Sequence, residues 1–235
     1  MRYQALATDY DGTLAHDGKV DAGTLAALKR LRQSGRKLVM VTGRELDDLM
    51  ATFDHCKLFD RIVAENGALL YDPATGASRS LAPPPPVKLV EALREKGVPF
   101  SVGRSILATV EPHEHAVLDA IRDLGLEWHV IFNKGSVMAL PAGVTKATGL
   151  EPAMEELGVA LSQTVGVGDA ENDHAFMQLC GLSAAVVNAL DSVKADADIV
   201  MNGARGAGVA ELIDRMIEND LMDVVRRRSH EPGGG

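Results

Sequence analysis

Short apolar runs that stop abruptly at an acid or a hydroxyl constrain this chain more than any other feature. Tyr3–Thr8 stops at Asp9, Lys37–Val41 at Thr42, Arg61–Ala64 at Glu65 and Thr164–Gly168 at Asp169. Runs this short and this apolar predict strands buried on both faces, each feeding a polar loop. Helical spacing lies between them. Leu25, Leu28 and Leu31 recur on one face after Asp21, a capping residue, and Gly35 ends the segment. A second helix is predicted over 45–53, and Asn66-Gly67 also fits a hairpin turn between 62–64 and 68–71. Strands alternating with helices predict a doubly wound, mostly parallel α/β sheet with helices on its faces.

The rhythm breaks at Pro83–Pro86, a stiff extended connector that neither a sheet nor a helix interior accommodates. Beyond it the pattern predicts helices over 87–96 and 113–124, with strands over 106–110, 127–132 and 136–140. Core-like alternation then resumes with a helix over 145–157 and strands near 164–168, 184–187 and 199–201. The last helix is expected from 209 to 225. These boundaries predict a core of residues 1–82 and 144–225, an inserted small α/β domain over 83–143, and a flexible tail or linker over 226–235. Pro232–Gly235 has no packing residues, so the chain is open to being one domain of a longer protein. Arg226–Arg228 is read as complementing the dipole of the last helix.

Composition narrows the partners. A formal charge of −9 argues against nucleic acid as the main ligand, because a polyanion binder usually carries a basic field. It leaves room for a small phosphate ester drawn in by a local cation. Cys56 and Cys180 have neither metal-pair spacing nor a disulfide framework. The acidic start of the chain is unlike a secretory leader, and no run approaches the length of a membrane span. A soluble, cytoplasmic protein is expected.

Ligands of open α/β sheets sit beyond the carboxyl ends of the strands. Those ends supply Asp9 and Asp11, then Thr42, then Glu65 and Asn66, then Asp169, Asn172 and Asp173, while Lys146 opens the helix that re-enters the core. Carboxylates, a hydroxyl and an ammonium on one rim suit phosphate and magnesium together. A carboxylate attacks a phosphate monoester only if a cation offsets their repulsion, and Mg²⁺ takes hard oxygen ligands. Asp9 is then the candidate nucleophile, splitting hydrolysis into two easier steps. Asp11 is the candidate acid and base. Thr42 and Lys146 are candidates for holding the transferring oxygens. Gly12 lets the backbone wrap the phosphate and offers its N–H.

Asp9-Tyr10-Asp11-Gly12-Thr13-Leu14, Thr42-Gly43-Arg44, Lys146 and Gly168-Asp169-Ala170-Glu171-Asn172-Asp173 resemble, in order, the motifs of the haloacid dehalogenase (HAD) superfamily. Glu65-Asn66-Gly67 and the Asn188–Asp198 stretch resemble its Cof-type, or HAD-IIB, branch. The resemblance implies a Rossmann-like core with an inserted C2-type cap and a phosphatase using Mg²⁺. It implies a metal site of Asp9, Asp11 through its carbonyl, and Asp169, supported by Asn172 and Asp173. Gly12, Thr13, Gly43, Arg44 and Asn66 are expected on the substrate side. The substrate is expected to be a small phosphorylated metabolite, such as a sugar phosphate or phosphoglycolate, chosen by cap residues among which Arg104 and Lys134 are candidate anion contacts. Phosphomutase-type transfer is the alternative. A phosphoacceptor signalling domain or a silent binding module ranks lower, because receivers place the acceptor after a middle strand and every expected catalytic side chain is present here.

Overall fold

The computed structural model describes residues 1–226. The chain begins with β1 (Ala5–Thr8), α1 (Ala22–Gln33), β2 (Lys37–Val41), α2 (Leu46–Thr52), β3 (Arg61–Ala64), β4 (Leu69–Asp72) and β5 (Ala77–Ser80). It continues through α3 (Val87–Glu95), β6 (Ser101–Val102), β7 (Leu107–Val110), α4 (Glu114–Asp123), β8 (Trp128–Asn133) and β9 (Ser136–Pro141). It returns with α5 (Lys146–Leu157), β10 (Thr164–Gly168), α6 (His174–Leu179), β11 (Leu182–Ala185), α7 (Asp191–Asp196), β12 (Ile199–Val200) and α8 (Gly206–Asn219).

One sheet has eight strands in the order β12-β11-β10-β1-β2-β3-β4-β5, parallel from β12 to β3 and antiparallel over β3-β4-β5. This is the mostly parallel α/β class expected. The central strands are buried on both faces: Leu6, Leu38, Met40, Ile62, Val165 and Val167 are inaccessible to solvent. β1 pairs with both β2 and β10, with Thr8 opposite Met40 and Val167. That register aligns the carboxyl ends of the three strands, so the loops carrying Asp9, Thr42 and Asp169 leave along one edge.

A second sheet, ordered β6-β7-β9-β8 and antiparallel throughout, packs against α3 and α4. Its own core contains Leu89, Leu93, Leu107, Val117 and Val137. A small cluster of Ala68, Ile106, Met138 and Leu140 joins it to the loop after β3.

The structure departs from several sequence boundaries. β5 is an edge strand, wholly exposed and polar, so it offers no hydrophobic period to read. The turn between β3 and β4 is a 3₁₀ segment over Glu65–Gly67 rather than a two-residue hairpin turn. α8 starts at Gly206 and stops at Asn219, where Asp220 and Leu221 adopt positive φ of 58° and 55°. Arg226 therefore lies seven residues past the helix end and donates to the Cys180 carbonyl instead of complementing the dipole. The remainder of the expected tail, 227–235, lies outside the described residues.

Candidate active site

Asp9 follows β1 directly and is buried, with 4% of its surface exposed. Its Oδ1 accepts from Lys146 Nζ at 2.6 Å, and the same ammonium donates to Asp173 Oδ1 at 2.6 Å. Lys146 reaches this point because it opens α5, behind a reciprocal cap between Thr145 and Thr148. Gly67 fixes where that helix begins. It has a φ of +106°, and a Cβ there would lie 1.9 Å from the Thr145 carbonyl oxygen. Burial pushes the Asp9 carboxyl upward, Asp173 and Asp169 add to the push, and Lys146 opposes it. Burial pulls the Lys146 ammonium down, but Asp173 and Asp9 outweigh it and hold the lysine charged.

Asp169 follows β10. Its Oδ1 accepts from Thr13 Oγ1 at 3.0 Å and its Oδ2 from Lys134 Nζ at 2.9 Å. Thr13, expected on the substrate side, thus orients a carboxylate. Asp173 is a brace: its Oδ2 accepts from the backbone N–H groups of Asp169 and Ala170, both at 2.9 Å. Gly12 adopts a φ of +93°. Its N–H is committed to the Ala15 carbonyl at 3.0 Å, because residues 10–15 close a tight turn, so it is not a free donor to phosphate in this state. Asn188 Nδ2 holds the Gly12 carbonyl at 2.9 Å.

The donor set fits a divalent cation. Carboxylate oxygens of Asp9, Asp169 and Asp173 come within 4.8 Å of one another. When all three are ionised, the carboxylates against the single buried ammonium of Lys146 leave a net charge of −2, which a divalent ion neutralises. Both Asp173 oxygens are already engaged, which leaves Asp9 Oδ2, Asp169 Oδ2 and the Asp11 carbonyl as hard oxygen donors. A cation already holds two of these three oxygens. Lys134 Nζ lies 2.8 Å from the Asp11 carbonyl oxygen and 2.9 Å from Asp169 Oδ2.

The Asp11 side chain turns the other way, to Arg44, which donates from Nε and Nη2 at 2.7 and 2.8 Å. Arg44 also meets Asp48 at 2.7 Å and lies over the Tyr10 ring. Thr42 does not cap α2, whose N-cap is Glu45; its Oγ1 accepts from Arg44 N. Gly43 packs on the Asn66 side chain, and Asn66 Oδ1 accepts from Asn172 Nδ2 at 2.8 Å. Asn66 also reaches Met138 of the second sheet. Asn172 is therefore directed to Asn66, and its own Oδ1 is buried without a partner among the described residues.

Asp9, Asp11, Gly43 and Arg44 form the floor of a cleft of about 550 Å³, with Ser101, Asn133, Lys134 and Ser136 on the wall from the second sheet. Arg104 is not on this wall. Its guanidinium is hydrogen-bonded to Ser78, which removes it as an anion contact here. Sequence reasoning missed Glu65 as a strut: its carboxylate accepts from Arg104 N and Ser105 N at 2.9 and 2.8 Å. An acid at a strand end beside a turn was visible, but its partners lie about forty residues away in the chain and carry no side-chain signal.

Residues 6–116 and 121–213 match the haloacid dehalogenase-like hydrolase family. The chain belongs to that family. Within these hydrolases it is 29% identical over 227 residues to a phosphoglycolate phosphatase of Methanothermobacter thermautotrophicus, covering 91% of this chain and 99% of the relative. It is 28% identical to phosphoglycolate phosphatase 2 of Saccharolobus solfataricus, covering 92% and 93%. A haloacid dehalogenase-like hydrolase from Bacteroides thetaiotaomicron has the same fold, with a TM-score of 0.79 at 18% identity over 91% of this chain and 99% of that one. A sugar phosphatase of HAD subclass IIB superposes with a TM-score of 0.72 at 21% identity, over 91% and 98%. No helix among the described residues is long and apolar enough to cross a membrane.

Proposed function

We propose that this hydrolase cleaves a small phosphate monoester with Mg²⁺, in two steps through an aspartyl-phosphate on Asp9. One observation carries the reading. Asp9 is a buried carboxylate held at one oxygen by Lys146, with no hydrogen bond to its second oxygen among the described residues, on the floor of a cleft. Mg²⁺, held by Asp9, Asp169 and the Asp11 carbonyl, would draw charge from the phosphoryl oxygens and lower their repulsion of the nucleophile. Thr42 and Lys146 hold the transferring group in place.

In the first step the Asp9 carboxylate bonds to phosphorus and the ester P–O bond breaks. Asp11 gives its proton to the departing oxygen, which leaves as an alcohol. In the second step water attacks the phosphorus, Asp11 takes the water proton, and the Asp9 carboxylate is regenerated as inorganic phosphate departs. Both Asp11 oxygens accept from Arg44 in this structure, so proton donation requires that pair to open and the freed carboxylate to take up a proton from water. Arg44 is thus the clamp that holds Asp11 beside the cleft between turnovers. Asn66 and Asn172 brace the rim, and Asp173 fixes the backbone of the Asp169 loop.

Residues 83–143, with their own sheet and core, act as the cap that selects the substrate. Phosphoglycolate is the favoured substrate, because relatives matched along nearly their whole length are named for it; sugar phosphates come second. The two buried, separate thiols of Cys56 and Cys180 suit a cytoplasmic setting. The test is phosphate release from a panel of phosphorylated metabolites with and without Mg²⁺. Turnover that survives Asp9→Asn, or that a chelator leaves untouched, would reject the proposal.

A further inference from the structure

We propose that Lys134 is a tethered occupant of the divalent-cation position, so that cation binding displaces its ammonium and frees the hairpin that carries it. The inference rests on the cation reading above. Lys134 lies in the turn between β8 and β9, with a φ of +50°. From there its ammonium crosses the cleft to the Asp11 carbonyl and Asp169 Oδ2. These are two of the three oxygens that the donor set leaves for a metal. The fit is close: a Cβ on Gly12 would lie 2.2 Å from Nζ and 2.4 Å from Asp169 Oδ2.

An ammonium and Mg²⁺ cannot share these oxygens. Mg²⁺ would have to approach the Asp11 carbonyl and Asp169 Oδ2 to about 2.0–2.1 Å, and the ammonium that holds both oxygens would repel it. Release costs the lysine little, because half of its side chain is exposed (52%) and water can replace the lost contacts, whereas Asp169 is 5% exposed. The other links from the second sheet to the core stay in place. Asn66 keeps Met138, and Glu65 keeps the backbone of Arg104 and Ser105. Displacing Lys134 therefore loosens one side of the cleft and leaves the opposite attachment intact. The freed ammonium remains on the wall where an anionic substrate enters.

Competition is reciprocal: if the cation expels Lys134, then removing Lys134 must favour the cation. The experiment is calorimetric titration of the full chain with Mg²⁺, comparing wild type, Lys134→Met and Lys134→Gln. It is paired with hydrogen exchange across 129–140 with and without Mg²⁺. Both variants are expected to bind Mg²⁺ roughly 5-fold or more tightly than wild type, the lower range of ordinary site coupling. Exchange in the wild-type hairpin is expected to rise on adding Mg²⁺. In the variants it should already be high and indifferent to the metal. Equal or weaker Mg²⁺ binding by the variants, or protection of the wild-type hairpin by Mg²⁺, would overturn the inference and leave the hydrolase reading standing. Absence of Mg²⁺ binding by wild type and both variants would instead sink the cation reading and this inference with it.

Discussion

Lys146 donates to Asp9 at 2.6 Å, although 137 positions separate the two in the chain. Asp173 receives the same ammonium, so a single buried cation separates two buried carboxylates. Removing it leaves both acids facing each other out of water. Lys146→Met is expected to cost about 3–5 kcal/mol, the usual penalty for breaking a buried ion pair from one side. Urea unfolding without divalent ions measures this, and a loss below about 1 kcal/mol, as for an exposed pair, would show that the ammonium is not what holds the site together. Turnover is expected to vanish as well.

Asp9→Asn separates chemistry from stability. The amide keeps an oxygen for Lys146 but cannot attack phosphorus, so turnover is expected to fall by roughly 10⁴ or more, as when a nucleophile is lost. Stability moves differently. Burial raises the Asp9 carboxyl from its ordinary 3.8 to about 8 without a metal, so the folded chain binds this proton more tightly than the unfolded one. Through that window the folded state carries the extra proton, and stability declines as pH rises. Metal-free wild type is therefore expected to lose stability toward pH 8 relative to Asp9→Asn. Parallel pH profiles for the two proteins would contradict this electrostatic account.

These two residues also show what the sequence made legible. Asp9 and Asp169 could be placed because each ends a short apolar run, and parallel register puts such ends on one edge. Lys146 was readable only by its position at the start of a re-entering helix. The direction of a side chain was not legible. Thr13 and Arg44 are expected on the substrate side, yet one orients Asp169 and the other clamps Asp11, since a hydroxyl or guanidinium beside an acidic loop pairs with the nearest carboxylate. β5 is not legible, because an exposed edge strand of this composition has no periodic signature. Lys134 is legible in the sequence only as a candidate anion contact; its reach across the cleft depends on how the second sheet docks, which no local pattern encodes.

Gly12→Ala tests the cation position from the core side. A φ of +93° strains any residue with a Cβ, and that atom would meet Asp169 Oδ2 at 2.4 Å. Asp169 cannot retreat without losing its hydrogen bond from Thr13. That Cβ would also lie 2.2 Å from Lys134 Nζ, so the comparison is made in a Lys134→Met background; the expected result is a stability loss of about 1–3 kcal/mol with weakened Mg²⁺ binding, read by thermal melts and Mg²⁺ titration. Undiminished affinity would place the cation away from Gly12 and Asp169.

Glu65 tests whether the second sheet is held for catalysis by a single strut. It is 1% exposed, and Gly103 packs so closely that a Cβ there would lie 2.8 Å from Oε1. Each Glu65 oxygen takes one backbone N–H, from Arg104 or Ser105, at the point where the second sheet meets the core. Glu65→Ala leaves two donors without an acceptor, at about 1–3 kcal/mol each if they stay buried. The chain escapes most of that cost by letting 103–106 lift into water, and this lifting is the expected outcome. Limited proteolysis should then cut near 103–106 in the variant and not in wild type. KM should rise while Mg²⁺ affinity holds, because none of the cation's oxygens is touched. Glu65→Gln keeps one acceptor and turns an N–H toward the other donor, so it should fall between the two. A variant cut no faster than wild type, with KM unchanged, would mean that the apolar contacts of Ile106, Met138 and Leu140, with the remaining polar links, keep the second sheet seated without Glu65.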